Sequence, residues 1–138
     1  VTFPDIEVYP VMSVKSRLAC VRHINRGDFV GYNCTWAAQK PSVIGVVPCG
    51  FVDGTSRIAS NRGCVLLHGK RCPIVGNVCM DQMMVRLPKY YPVDTPVVLM
   101  GKSGQLELTP TDLAKQVGTI NYEILTGINN RVHRVYKN

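Results

Sequence analysis

Apolar residues recur along the chain in short runs, several of them at alternate positions, and each run stops at a cluster of turn-forming residues. This pattern predicts strands over 16–25, 42–47, 63–68, 73–78, 83–87, 96–100 and 131–136. The punctuation is Arg26-Gly27-Asp28, Val52-Asp53-Gly54, Asn61-Arg62-Gly63, His68-Gly69-Lys70 and Lys102-Ser103-Gly104, all rich in residues that reverse the backbone readily. The stretch 63–78 reads as a hairpin turning at His68-Gly69-Lys70. One segment changes period. Thr109 offers a capping hydroxyl, Pro110 suits the first helical position, and Asp112 places an acid in the first turn. Leu113, Ala114 and Val117 follow at helical spacing, and Gly118 ends the run. A second short helix is expected over 121–127. The predicted fold class is therefore mainly β: one antiparallel, partly barrel-like domain over 1–138, with one or two short helices near its C-terminus. Its first ten residues, marked by prolines, read as a linker.

Composition narrows the class. A chain of 138 residues is long enough to bury a core without staples. No apolar run approaches a membrane span, and the N-terminus lacks the basic and apolar blocks of a signal peptide. It also lacks a methionine, which points to a piece of a longer protein. The six cysteines show no C-x-x-C pair and no zinc-ligand spacing, so reduced thiols used as small hydrophobes, and hence a cytoplasmic setting, are expected, with no metal site. The net charge of +7, from 16 basic and 9 acidic side chains, raises a rival reading. That rival is a basic β-barrel binding single-stranded nucleic acid through exposed aromatics such as Trp36, Tyr90 and Tyr91. The basic residues are scattered and not interleaved with aromatics, which argues against it.

The heptapeptide VGYNCTW, 30–36, holds a tyrosine between two turn-formers, where strand interiors normally exclude Gly and Asn. Either Tyr32 packs at an ordinary β-bend with its hydroxyl satisfied, or the bend aims a phenol outward. Met80, in Cys79-Met80-Asp81-Gln82, has a similar ambiguity. It is core packing, or it marks a turn with an exposed backbone amide. Asp81 reads as a strand-end turn residue and Asp53 as the acceptor within its own turn. His23, His68 and His133 show no triad context.

Four segments, VMSVKSR (11–17), VGYNCTW, VPCGFVDGTSR (47–57) and IVGNVCMDQMMV (74–85), keep their order and spacing ahead of GTINYEILTGINNRVHRVY (118–136). Together they resemble the C-terminal domain of the pyridoxal-phosphate-dependent alanine racemases, through nearly the whole chain and most specifically at CMDQ. The resemblance implies an isomerase that interconverts L- and D-alanine for the bacterial cell wall, built as a head-to-tail homodimer. It further implies a preceding barrel domain, absent from this sequence, that carries pyridoxal phosphate on a lysine. Lys15 and Lys40 lack a phosphate-binding neighbourhood, so no covalent cofactor is expected on this chain, which alone should be inactive. Two bases on opposite faces of the substrate's α-carbon are needed. The resemblance gives Tyr32 the role of the second base, presented to the partner subunit's cofactor site. It gives the Met80 backbone amide the substrate carboxylate, and Asp81 a supporting role. Phe51 and Asn130 fall at the active-site entrance, Phe51 at a position that is commonly tyrosine and Asn130 where some members have a gate tyrosine. Asn33 replaces a common glycine and His133 a common proline. These departures leave open a preference for serine over alanine.

Overall fold

The structure, a computed structural model, describes residues 6–138. Among these residues the chain runs β1 (Val14–Arg17), β2 (Cys20–Ile24), β3 (Phe29–Val30), β4 (Trp36–Ala37), β5 (Ser42–Val47), β6 (Cys64–Leu67), β7 (Lys70–Pro73), β8 (Met83–Leu87), β9 (Pro96–Ser103), β10 (Leu106–Leu108), α1 (Pro110–Val117) and α2 (Asn121–Thr126). One sheet has the order β1-β9-β6-β7, with β10 folded back on the far end of β9; a second has the order β2-β5-β8; β3 and β4 form a two-stranded ribbon. Every pairing is antiparallel. The sheets curl without closing, in agreement with the expected class.

Apolar side chains fill three layers. Val65 and Leu67 of β6 meet Met83, Val85 and Leu87 of β8 between the two sheets. Leu66 faces the other way and packs with Val98, Leu108 and Leu113 under α1. Met84 likewise faces away, against Val30, Ile44 and Val75 beneath the β3–β4 ribbon. Strands covered on both faces carry continuous rather than alternating apolar runs, which explains CVLL in β6 and the Met83-Met84-Val85 run in β8, before exposed Arg86. Each such side chain contributes about 1.5–3 kcal/mol by leaving water.

Three predicted strands differ from the structure. The run 16–25 is two strands, because the chain changes sheets at Leu18–Ala19. Leu18 N–H donates to Thr95 C=O and Ala19 N–H to Val46 C=O, and the Leu18 side chain is wholly buried at the corner. The expected strand 73–78 lies earlier, as β7, because the hairpin closes tightly at His68-Gly69 and pairs Cys64 with Pro73. The run 131–136 forms no strand. The Arg134 guanidinium donates to the carbonyls of Ile128, Asn129 and Val132, wrapping the segment around its own side chain. The short strands β3, β4 and β10 were not predicted. Of the proline-marked linker, residues 1–5 lie outside the described residues, and 6–10 have no regular structure.

Helix α1 begins as its sequence predicts. Thr109 and Asp112 form a reciprocal capping box, and Gly118 closes the helix in the left-handed conformation. Hydrogen bonds from the Thr109 backbone and hydroxyl hold the Asp112 carboxyl below its ordinary range. A depressed folded-state value means the cap's contribution is fully present above the unfolded carboxylate value of about 3.9 and fades as pH falls through the folded value. We expect Asp112→Ala to destabilise the domain by about 1 kcal/mol at pH 7, with the difference from wild type vanishing in the acid limb of a pH-dependent denaturation series.

Candidate functional site

Glycine and asparagine positions shape the site. The chain leaves β3 through Gly31 at φ 81°, passes Tyr32 in a single 3-10 turn, and continues through Asn33 at φ 61° and Cys34 at φ 50° before β4. Asparagine is among the few non-glycine residues that enter this left-handed region readily, so Asn33 serves where a glycine is otherwise expected. The turn lies against a second tight segment. A methyl group on Gly76 would come 2.4 Å from the Val30 carbonyl oxygen, and one on Gly31 would come 3.1 Å from the Asn77 nitrogen. The Asn77 side-chain amide donates to the Tyr32 carbonyl at 3.0 Å.

This packing turns the Tyr32 ring outward. It is 70 % exposed, and among the described residues its hydroxyl has no hydrogen-bond partner. The packed-bend alternative for Tyr32 therefore does not hold. Met80 is 57 % exposed and is not a core residue. Its turn is held by Gly50, against which the Cys79–Asp81 backbone packs without room for a side chain. Phe51 N–H donates to Cys79 C=O at 3.0 Å and Val52 N–H to Met80 C=O at 2.9 Å. Among the described residues no acceptor is found for the Met80 N–H itself.

Tyr32, Phe51, Met80 and Asp81 line one surface concavity of about 460 Å³, together with Arg57, Asn77 and Gln82. Arg57 brings a positive and Asp81 a negative charge to its walls. Its lining includes Cys79, whose thiol burial pushes up. The lining contains no lysine; Lys15 is exposed on β1 and Lys40 in the turn before β5. Asn130 does not line the concavity. Its segment is docked nearby: Arg131 pairs with Asp53 at 2.9 Å, Asn129 N–H donates to Asp53 C=O at 3.2 Å, and Asp53 accepts the Gly50 N–H at 2.9 Å as its turn role requires. Arg57 and Asn77 escaped the sequence reading. The Gly76-Asn77 dipeptide was the available signal, since Gly-Asn before an apolar pair marks a tight turn.

A separate apolar cleft of about 80 Å³ lies between the helices and the first sheet. Cys49 lines it, and Cys72 lies buried in the adjoining core; burial raises both thiols, Cys72 to about 11. All six cysteines are free, and Cys34, contrary to the core expectation, is exposed beside Tyr32. Among the described residues no cluster of three His, Cys, Asp or Glu is placed to hold a metal, and no helix is long and apolar enough to cross a membrane. Of the three aromatics named for the nucleic-acid reading, Tyr91 is buried, Trp36 packs into the second core cluster, and Tyr90 is exposed.

Comparison with known proteins points one way. The family described as "Alanine racemase, C-terminal domain" matches residues 11–136. Alanine racemase of Limosilactobacillus reuteri is 52% identical over 132 residues, covering 96% of this chain and 35% of the relative. That of Streptococcus gordonii is 46% identical over 132 residues, covering 96% and 36%. Among solved structures, alanine racemase from Bacillus anthracis with bound L-Ala-P superposes with a TM-score of 0.90 at 38% identity, covering 93% of this chain and 33% of that one. Alanine racemase from Bartonella henselae with covalently bound pyridoxal phosphate gives 0.83 at 31% identity, covering 91% and 34%. The chain thus spans about a third of the length of the relatives it matches.

Proposed function

The chain belongs to the alanine racemase C-terminal domain family, and on that premise we propose that it is the β-domain of an enzyme interconverting L- and D-alanine, with Tyr32 serving the partner subunit's active site. The observation that carries this reading is the outward phenol of Tyr32 sharing one concavity with Met80, whose N–H has no acceptor among the described residues. The lining suits a cofactor held by another domain: it offers an exposed hydroxyl and a free amide donor, and no lysine to anchor the group covalently. Pyridoxal phosphate, when bound there, draws electron density from the substrate's α-carbon.

The residues of this chain then do three things. Tyr32 exchanges a proton through its hydroxyl at one face of the α-carbon, while a base on the preceding barrel serves the opposite face. The Met80 N–H binds and orients the substrate carboxylate, with Asp81 supporting that turn. Phe51 gives the concavity an apolar wall without a hydroxyl, which suits the methyl of alanine better than the hydroxymethyl of serine. Asn130, which does not line the concavity, is assigned to the entrance by the family resemblance alone. The free thiols fit a reducing, cytoplasmic setting.

Supply of Tyr32 across a homodimer is tested by mixing two inactive full-length variants, one with Tyr32→Phe and one lacking the barrel lysine. If the base acts across the interface, each mixed dimer holds one intact site, and activity reappears at up to about half the wild-type value per dimer. If both bases come from one subunit, every site in the mixed dimer is damaged. A mixture that stays inactive, despite verified subunit exchange, rejects the shared site.

A further inference from the structure

The turn that bears Tyr32 contains two non-glycine residues in the left-handed region, Asn33 and Cys34. Such backbone persists only where its surroundings hold it. The β3–β4 ribbon that flanks it is two residues long on each side and is too short to hold the turn alone. Among the described residues the phenol hydroxyl has no hydrogen-bond partner, so the backbone of the turn decides where the ring is presented.

Three contacts hold that backbone. Gly31 rests on Gly76 and Asn77, Asn77 donates to the Tyr32 carbonyl, and Thr35, at the far end, accepts from the Asn61 side-chain amide at 3.1 Å. Asn61 also accepts the Gly76 N–H at 2.6 Å. That contact fixes which way its amide faces, because only the oxygen can accept from a backbone N–H. Asn61 itself has φ 57°. One residue therefore joins the platform under Tyr32 to the end of the turn that carries it.

We propose that Asn61 is a positioning residue for Tyr32, acting through its hydrogen bonds to Gly76 and Thr35. This rests on the reading of Tyr32 as a proton-transfer base. A displacement of the phenol by about 1 Å is enough to lower the rate by about 10²-fold, and it leaves the base on the opposite face undisturbed.

The test uses the full-length dimeric holoenzyme and follows loss of the α-hydrogen from L-alanine and from D-alanine separately in heavy water, alongside racemisation. Asn61→Gly keeps the backbone conformation and removes the side chain. Racemisation should fall by about 10–10²-fold, with hydrogen loss slowed by a similar factor for one enantiomer and within about twofold of wild type for the other. Asn61→Asp tolerates the same backbone, accepts from Gly76 with one oxygen and from the Thr35 hydroxyl with the other, and should restore most of the rate. Thr35→Val breaks one of the two contacts. It should show the same one-sided slowing, and it serves if Asn61→Gly fails to fold. Tyr32→Phe, assayed in parallel, should abolish hydrogen loss for that same enantiomer. Equal slowing for both enantiomers, or unchanged rates, in the Asn61 and Thr35 variants while Tyr32→Phe is one-sided overturns the positioning role alone. Normal exchange of both enantiomers in Tyr32→Phe overturns the base assignment, and the positioning role with it.

Discussion

Replacing Tyr32 by phenylalanine in the full-length enzyme is expected to lower racemisation by about 10²–10⁴-fold, the range supplied by one general acid–base group. Both directions fall, because each turnover removes a proton from one face and returns one to the other. Stability should scarcely move. The ring is 70 % exposed and its hydroxyl bonds to nothing among the described residues, so the change stays within about 0.5 kcal/mol. The combination is the diagnostic: a large rate loss with an unchanged melting temperature and unchanged cofactor absorbance. A variant with wild-type rates would remove Tyr32 from the chemistry.

Gly50→Ala is expected to have the second-largest effect, and through a different route. Gly50 has an ordinary backbone conformation; what excludes a side chain is space. An added methyl would lie 2.3 Å from the Cys79 carbonyl oxygen, 2.5 Å from that of Met80 and 2.6 Å from the Asp81 nitrogen. None of these can retreat freely, because Phe51 and Val52 bond to the Cys79 and Met80 carbonyls. The turn must shift as a unit, carrying the Met80 N–H away from the concavity. We expect a destabilisation of about 1–3 kcal/mol and a rise in KM for alanine larger than the fall in kcat. Gly27→Ala is the control. It faces open space at φ 89°, so it should cost stability through backbone strain and leave KM alone. A Gly50→Ala enzyme with wild-type melting and KM would mean that the Cys79–Gln82 turn does not need this contact.

Much of this architecture is legible in the sequence. The strands at 42–47 and 83–87 and helix α1 follow from local pattern, because local residues decide them: apolar runs bounded by turns, and a capping box written out as Thr109 to Asp112. Long-range events were not legible. Leu18 looks like one more apolar strand residue, and only its bonds to Thr95 and Val46 show that it turns a corner between sheets. The alternation at 131–136 suggests a strand, yet Arg134 satisfies the carbonyls that a neighbouring strand would have taken. The site divides in the same way. Tyr32, Phe51, Met80 and Asp81 were singled out by motif and do meet in one concavity. Asn61 could not be, since its partners Gly76 and Thr35 lie 15 and 26 positions away and Asn61-Arg62-Gly63 reads as an ordinary turn.

The double-sided burial of β6 and β8 also sets a gradient of opening across the domain. Their amides should exchange with solvent only when the whole fold comes apart, whereas the ribbon of β3 and β4, joined by two residue pairs, should release its hydrogens through brief local fraying. The phenol thus sits beside a lightly protected fringe of the domain, and docking of a second subunit over that fringe would slow exchange there.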